Sequence, residues 1–543
     1  MSKKSVIFHY GNFEKRLFTA SFIILFEYFL LTSELFAQSL YGGAGHIPAS
    51  HQVDWTTAGI QYPEPVEKDT TLRVDNLNGA DDRALIRQLN KARQYDKGNV
   101  IILFAEGNYL FRETIVLNQR KDNKIIFRGQ GPRTVLNFRV GDQNRCFNIE
   151  GDPVGSIFKV TSSLRKGERE LIMPNEGEFE ANNWIHLYEY DFPTLHDGFP
   201  RNAVGQVVPI SAVQGSKLYL QYAVSKKLQH QLQLRKIQPI HGVGIENLKI
   251  IRQDRGHSRS GSTIYFNYAV NCWVRNVEVY RTCKNHIVIH RSAHIEIRGS
   301  FFNDANFNGR GGFGYGVTLS NSTTRCLIEN NIFRKLRHSM IVSAGANTNV
   351  FAYNYSREVK WNENSMAPDI CVHGNFPFAN LFEHNVVMHI EADKNFIPHG
   401  PYHTFVRNRC TGLDNFELRF IKDAAVLGCE LHYGIKKQEA TYSIDKYAKA
   451  LGQPGAYDEW FFASHRWFYE AVGNPVIKPF AALKDTSYFY SKRPYFLDSS
   501  YTFPTIGPPS AYLSQTIPAE QRYYQRYHKR PSCFLYRWLS AIF

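Results

Sequence analysis

Short runs of alternating apolar and polar residues, each closed by a turn, recur through the middle of the chain. Seven segments superpose: STIYFNYAVNCWVRNVEV (262 to 279), HIVIHRSAHIEIRGSFF (286 to 302), YGVTLSNSTTRCLIENNIF (315 to 333), HSMIVSAGANTNVFAYNYS (338 to 356), DICVHGNFPFANLFEHNVV (369 to 387), NFIPHGPYHTFVRNRCTG (395 to 412) and NFELRFIKDAAVLGCEL (415 to 431). Each reads as a strand, a tight turn, a second strand and an Asn- or Gly-marked corner. The corners Asn247, Asn276, Gly299, Asn330, Asn354, Asn385, Asn408 and Gly428 recur every 20 to 31 residues. A repeat of that length without helical periodicity predicts one coil of a solenoid.

Within the first strand of each segment, Ile287/Ile289, Val317/Leu319, Met340/Val342, Ile370/Val372 and Phe396/Pro398 keep the apolar phase. A period of two then sends the residues between them to the other face. One outward column holds His286, Gly316, Ser339, Asp369 and Asn395; a second holds Asn267, His290, Ser320, Ser343, His373 and His399. Strands of neighbouring coils lie about 4.8 Å apart, so Asp369, His373 and His399 are expected in one small patch. A slip of one residue in any coil would bury what this register exposes.

Ahead of the coils, Asp81 or Asp82 caps a helix whose stripe is Leu85, Ile86, Leu89 and Ala92, followed by the strands VIILF and KIIFRG. Such a helix covers the open first coil of a solenoid. The paired aspartates, then Phe104, Gly107 and Tyr109, then Gly129 and Gly131 resemble the opening of the pectate-lyase-superfamily proteins, also described as pectin-lyase-like. That resemblance extends more loosely over residues 242 to 432. It implies an all-β fold, a right-handed parallel β-helix solenoid with a short N-terminal capping helix; residues 153 to 241, which break the coil spacing, add an inserted β-rich segment. The expected organisation is a signal peptide at 1–37, a cap with the first coils at 38–152, the insertion at 153–241, the coils at 242–432, and an aromatic, Pro-rich packing or capping segment at 433–543.

Composition alters this picture in three ways. Lys3, Lys4, Lys15 and Arg16 precede the apolar run 17 to 31 and the motif SELFAQS, which reads as an export signal cleaved after Ala37. A secreted, periplasmic or surface protein with no stable membrane span after processing, and a monomer, is expected. The net charge of +15 favours an acidic partner, a uronic-acid or sulfated polysaccharide, and nucleic acid is not expected. Among the eight cysteines, Cys272, Cys326, Cys371, Cys410 and Cys429 fall in or beside repeat strands with no C-x-x-C pair, so they read as reduced packing residues.

The exposed columns and their loops supply Tyr315, Arg337, His338, Asp369, His373, Lys394 and His399 as candidate catalytic residues. Elimination from a uronic acid needs a cation for the carboxylate, a base for the C5 proton and an acid for the leaving oxygen. Hydrolysis needs two carboxylic acids about one bond. One obvious carboxylate among many bases and cations favours elimination, which makes the expected protein a polysaccharide lyase. Arg337 or Lys394 would neutralise the uronate, His373 or His399 would take the proton, Tyr315 or His338 would be the acid, and Asp369 would orient a histidine. The alternatives are a glycoside hydrolase or epimerase on the same substrate class, and a non-catalytic glycan-binding β-helix. The superfamily includes lyases, polygalacturonases, epimerases and phage tailspikes, but none of their full catalytic sets is present, so no residue role is carried over. Glu391 and Asp393 could join Asp369 about a calcium ion, yet no oxygen-rich cage is evident and the cofactor is left open.

Overall fold

The computed structural model describes residues 47, 51–61, 69–74, 81–173, 178–193, 199–309, 311–360, 367–412, 416–421, 423–431, 436–437, 460–463, 466–467, 486–507 and 515–527. The expected signal peptide lies outside these residues, as does most of the stretch from 433 to 485. No helix among the described residues is long and apolar enough to cross a membrane.

One face of the molecule is a ten-stranded parallel sheet. Its strands are β1 (Ile115–Leu117), β2 (Phe147–Glu150), β3 (Ile264–Asn267), β4 (Asn285–His290), β5 (Tyr315–Ser320), β6 (His338–Val342), β7 (Ile370–Val372), β8 (Ile390–Ala392), β9 (Phe416–Leu418) and β10 (Lys436–Lys437). The remaining sides belong to a 21-stranded sheet, so each coil wraps around a single core. Ile289, Leu319, Val342 and Val372 pair in successive coils and are fully buried, as the apolar phase requires. Phe351, Phe382 and Phe405 stack beside them with centroids 5.0 Å apart.

The next coil corrects the expected register. Ile370 and Val372 pair with Ile390 and Ala392, not with Phe396 and Pro398, and Phe396 is 39% exposed. This coil is short, so the strand comes before the segment chosen from the repeat. A second correction concerns the column of His286, Gly316, Ser339 and Asp369, which points inward. The amides of Ser339 and Met340 both donate to the Asp369 carbonyl, and those of Asp369 and Ile370 both donate to the His389 carbonyl. Two successive donors on one acceptor mark a bulge, and the extra residue reverses the face of the side chain at this position. Gly316 fits there because a Cβ would strike the Phe333 ring.

The corners also resolve into two adjacent columns. Asn330, Tyr353, His384 and Arg407 adopt the left-handed conformation, and the residues after them, Asn331, Asn354, Asn385 and Asn408, form a buried ladder. The Asn331, Asn354 and Asn385 amides each donate to the next ladder oxygen at 3.0 Å and to a backbone carbonyl of the preceding coil. Asn331 rather than Asn330 therefore starts the ladder.

Helix α1 (Asp81–Ala92) buries Ala84, Leu85, Leu89 and Ala92 over the first coils, and Asp81 and Asp82 accept backbone donors from Leu110 and Arg112. Residues 152–238 contain a six-stranded antiparallel sheet with its own apolar cluster. This sheet stands on one corner of the solenoid, where Asn347 Nδ2 donates to the Gly205 carbonyl and Ser322 Oγ to that of Ala203. Residues 486–507 and helix α2 (Pro518–Tyr527) pack on another flank, where Glu383 accepts from Ser487 Oγ and Tyr488 N at 2.7 and 3.0 Å. Trp55 reaches the same flank, donating to the Ala379 carbonyl and meeting the Tyr488 ring edge-on at 6.2 Å. All seven cysteines among the described residues are buried, and none of them is in a disulfide.

Candidate active site

The outer face of the ten-stranded sheet carries two columns that the pairing register fixes. One runs Thr318, Ile341, Cys371, Glu391, Glu417, and the other Ser343, His373, Asp393, Arg419. Glu391 and Asp393 stand two residues apart at strand β8, so both side chains leave the same face. They open into a cleft of about 950 Å³ that Tyr315, Arg337, His338, His373 and Lys394 also line. Phe199, next to the inserted sheet, meets Phe396 across the cleft with centroids 5.5 Å apart.

The two carboxyl groups are held in opposite states. Burial alone would raise Asp393, but His373 Nδ1 lies 2.5 Å from its Oδ2 and the Asn395 amide 3.0 Å from Oδ1, and together they hold it down to about 2. Burial pushes Glu391 up to about 7; Arg419 Nη1 at 3.1 Å offsets this in part, while Asp393 and Glu417 repel a second negative charge. At neutral pH the strand thus presents a carboxylate at Asp393 beside a Glu391 that retains its proton in a large share of molecules.

Of the seven residues read from the sequence, five meet in this cleft and two do not. Tyr315 accepts the Gly312 amide at 2.6 Å and burial pushes its hydroxyl up to about 12, so it keeps its proton. Its ring lies edge-on to His338 at 4.7 Å. Burial pushes His338 down to about 3; with Nδ1 2.8 Å from the Pro368 carbonyl, the neutral ring has Nε2 as its acceptor. Arg337 is half-buried at the cleft wall and Lys394 is exposed at its rim.

Asp369 is fully buried inside the coil, where it accepts from Ser356 Oγ and from the Met388 and His389 amides. The bulge at this column turned it inward, so it orients no histidine of the cleft. His399 is likewise fully buried, with Nε2 2.6 Å from the Asp393 carbonyl. It props the backbone of the neighbouring carboxylate rather than facing solvent, because Asp393 takes the position in the column that the longer expected coil assigned to it.

From sequence alone Glu391 and Asp393 stand out only as metal ligands, and Glu417, Arg419 and Lys284 do not stand out at all. The signal was present in Ile-Glu-Ala-Asp at 390–393, whose alternation puts both acids outward once Ile390 and Ala392 are in phase. The calcium grouping fails because Asp369 points into the core. Two other sets bring donor atoms within 4.8 Å of one another: Cys371, His373 and Asp393, and His389, Glu391 and Glu417. In the first, a 2.5 Å contact between His373 and Asp393 is a hydrogen bond, shorter than two ligands of one ion, each about 2.0–2.2 Å from it, would sit. In the second, Arg419 already supplies positive charge to both Glu391 and Glu417.

No protein-family model matches the chain, and no curated protein matches it. Among solved structures, the tailspike gp61 of Pseudomonas phage phi297 is similar over 67% of this chain and 59% of its own, at 12% identity and a TM-score of 0.50. The tailspike gp49 of Pseudomonas phage LKA1 is similar over 65% and 57%, at 16% identity and a TM-score of 0.49. The chain thus spans under three fifths of the length of either tailspike. A catalytic domain of a GH87 α-1,3-glucanase is similar over 76% and 66%, at 12% identity and a TM-score of 0.38. The fold is an all-β, right-handed parallel β-helix of the pectin-lyase-like type.

Proposed function

We propose that the cleft hydrolyses a glycosidic bond in an acidic polysaccharide, with Glu391 as general acid and Asp393 as general base. The observation that carries this reading is the pair of carboxyl groups on one strand face with their proton affinities driven apart. Glu391 would pass its proton to the glycosidic oxygen as the bond to the anomeric carbon breaks. Asp393 would accept a proton from the water whose oxygen bonds to that carbon, so one water is consumed. Arg337, Lys394 and Lys284, the last pushed down to about 8 by burial and by Arg145 and Arg259, give the cleft the charge that an acidic sugar needs. The Phe199 and Phe396 rings offer apolar faces for a sugar ring.

Elimination is the second reading, and it is favoured by the protonated Tyr315 among those cations. Incubation with polygalacturonate, alginate, hyaluronan and a neutral glucan separates the two. New reducing ends without absorbance near 232 nm support hydrolysis. Absorbance at 232 nm, which only an unsaturated uronate gives, would replace hydrolysis by elimination. Binding with neither product would reduce the cleft to a glycan-binding surface.

A further inference from the structure

A second cleft, of about 570 Å³, lies at a corner of the solenoid and shares no lining residue with the first. It is bounded by residues 52–54, by residues 165–169 and 222–225 of the inserted segment, and by the corner residues Arg325 and Tyr402. Arg325, Thr348, Ala379 and Tyr402 occupy one left-handed corner position in successive coils. Three coil steps span about 14 Å along the solenoid.

Four cations, Arg165, Lys166, Arg169 and Arg325, line this cleft with a single carboxylate, Asp54. Asp54 Oδ1 is already taken by the amide and hydroxyl of Thr56, at 3.0 and 2.6 Å. Arg325 is only 5% exposed. Its Nη1 partners are neutral, the Asp54 carbonyl at 3.1 Å and Thr57 Oγ1, and its guanidinium lies 4.4 Å from the Tyr222 ring centre. Burial pushes Arg325 down to about 10, Asp54 and Tyr222 offset this only in part, and Arg169 adds repulsion. Lys166 sits over the Tyr402 ring at 4.5 Å. A buried guanidinium with neutral partners, facing further cations, is stabilised when an anion enters, since its fork of donors matches a carboxylate or sulfate. The two tyrosines make the walls amphipathic, which suits a sugar better than a bare ion.

We infer that this corner cleft is a second saccharide site, selective for a sugar bearing a carboxylate or sulfate, whose anionic group meets Arg325 and Arg169 between Tyr222 and Tyr402. The site stands whether or not the first cleft cleaves its ligand.

Calorimetry tests this with a trigalacturonate and a heparin-derived hexasaccharide as the carboxylate and sulfate probes, maltohexaose as the neutral control and inorganic sulfate as the bare anion. Arg165 and Arg169 are exposed, so Arg165→Glu/Arg169→Glu spares the core, whereas Arg325→Gln removes the buried donor. The expected result is a binding event for at least one anionic saccharide that weakens about tenfold or more in the double variant, with product formation in the first cleft unchanged. If Arg325→Gln does not fold, the double variant decides alone. Equal affinity in wild type and double variant, no binding of either anionic saccharide, or inorganic sulfate binding as tightly as the hexasaccharide would overturn the assignment.

Discussion

At the scale of single residues, the cleft depends on one imidazole holding one carboxylate ionised. Glu391→Gln and Asp393→Asn are each expected to lower turnover by about 10² or more with the melting temperature nearly kept. Because Glu391 must carry its proton to act, kcat/KM should fall as pH rises through about 7, and Glu391→Gln should abolish that limb. His373 lowers the proton affinity of Asp393, so His373→Ala is expected to move the acidic limb of the same profile to higher pH. Asp369 belongs to a different class of effect. Its three donors lose their acceptor in Asp369→Ala, which is expected to cost about 2–4 kcal/mol in urea titrations, while the rate per folded molecule stays unchanged.

At the scale of the strand and the coil, the apolar alternation was legible wherever coils were regular. Ile287/Ile289 through Ile370/Val372 follow directly from a period of two, and Val342→Ala should cost about 1–3 kcal/mol in the same titration through lost burial and a small cavity. The site was less legible, for two physical reasons. A bulge is a backbone event with no side-chain signature at Ser339 or Asp369, so the face of Asp369 could not be read from alternation. The coil holding β8 is the short one, so an overlay tuned to longer spacing passed over Ile390 and placed His399 where Asp393 stands. The corner column mixes two positions for a similar reason, since Asn330 is the left-handed turn residue whereas Asn354, Asn385 and Asn408 follow it and belong with Asn331 in the ladder. Asn354 and Asn385, each bonded on both sides, are the ladder positions where substitution by Ala should be most damaging, about 2–3 kcal/mol by thermal or urea melting.

For the whole molecule, buried carboxyls set the response to pH. Burial raises Asp369 to about 6 and Glu383 to about 7, above their values in an unfolded chain. Each binds more protons folded than unfolded, so its contribution is full below about pH 4 and is lost as pH rises through those folded values. The melting temperature of Glu383→Gln should therefore depend less steeply on pH between about 4.5 and 7.5 than that of wild type, and an equal slope in both would show that Glu383 does not titrate there. Glu383 also ties residues 487 and 488 to the coils, and Trp55 meets Tyr488 on that flank. A solenoid with free ends can unspool one turn at a time from either terminus, each turn leaving a shorter but intact spring. Here the early and late segments of the chain meet over the middle turns, a clasp that holds those turns from outside while the turns at either end are left to the coil contacts alone.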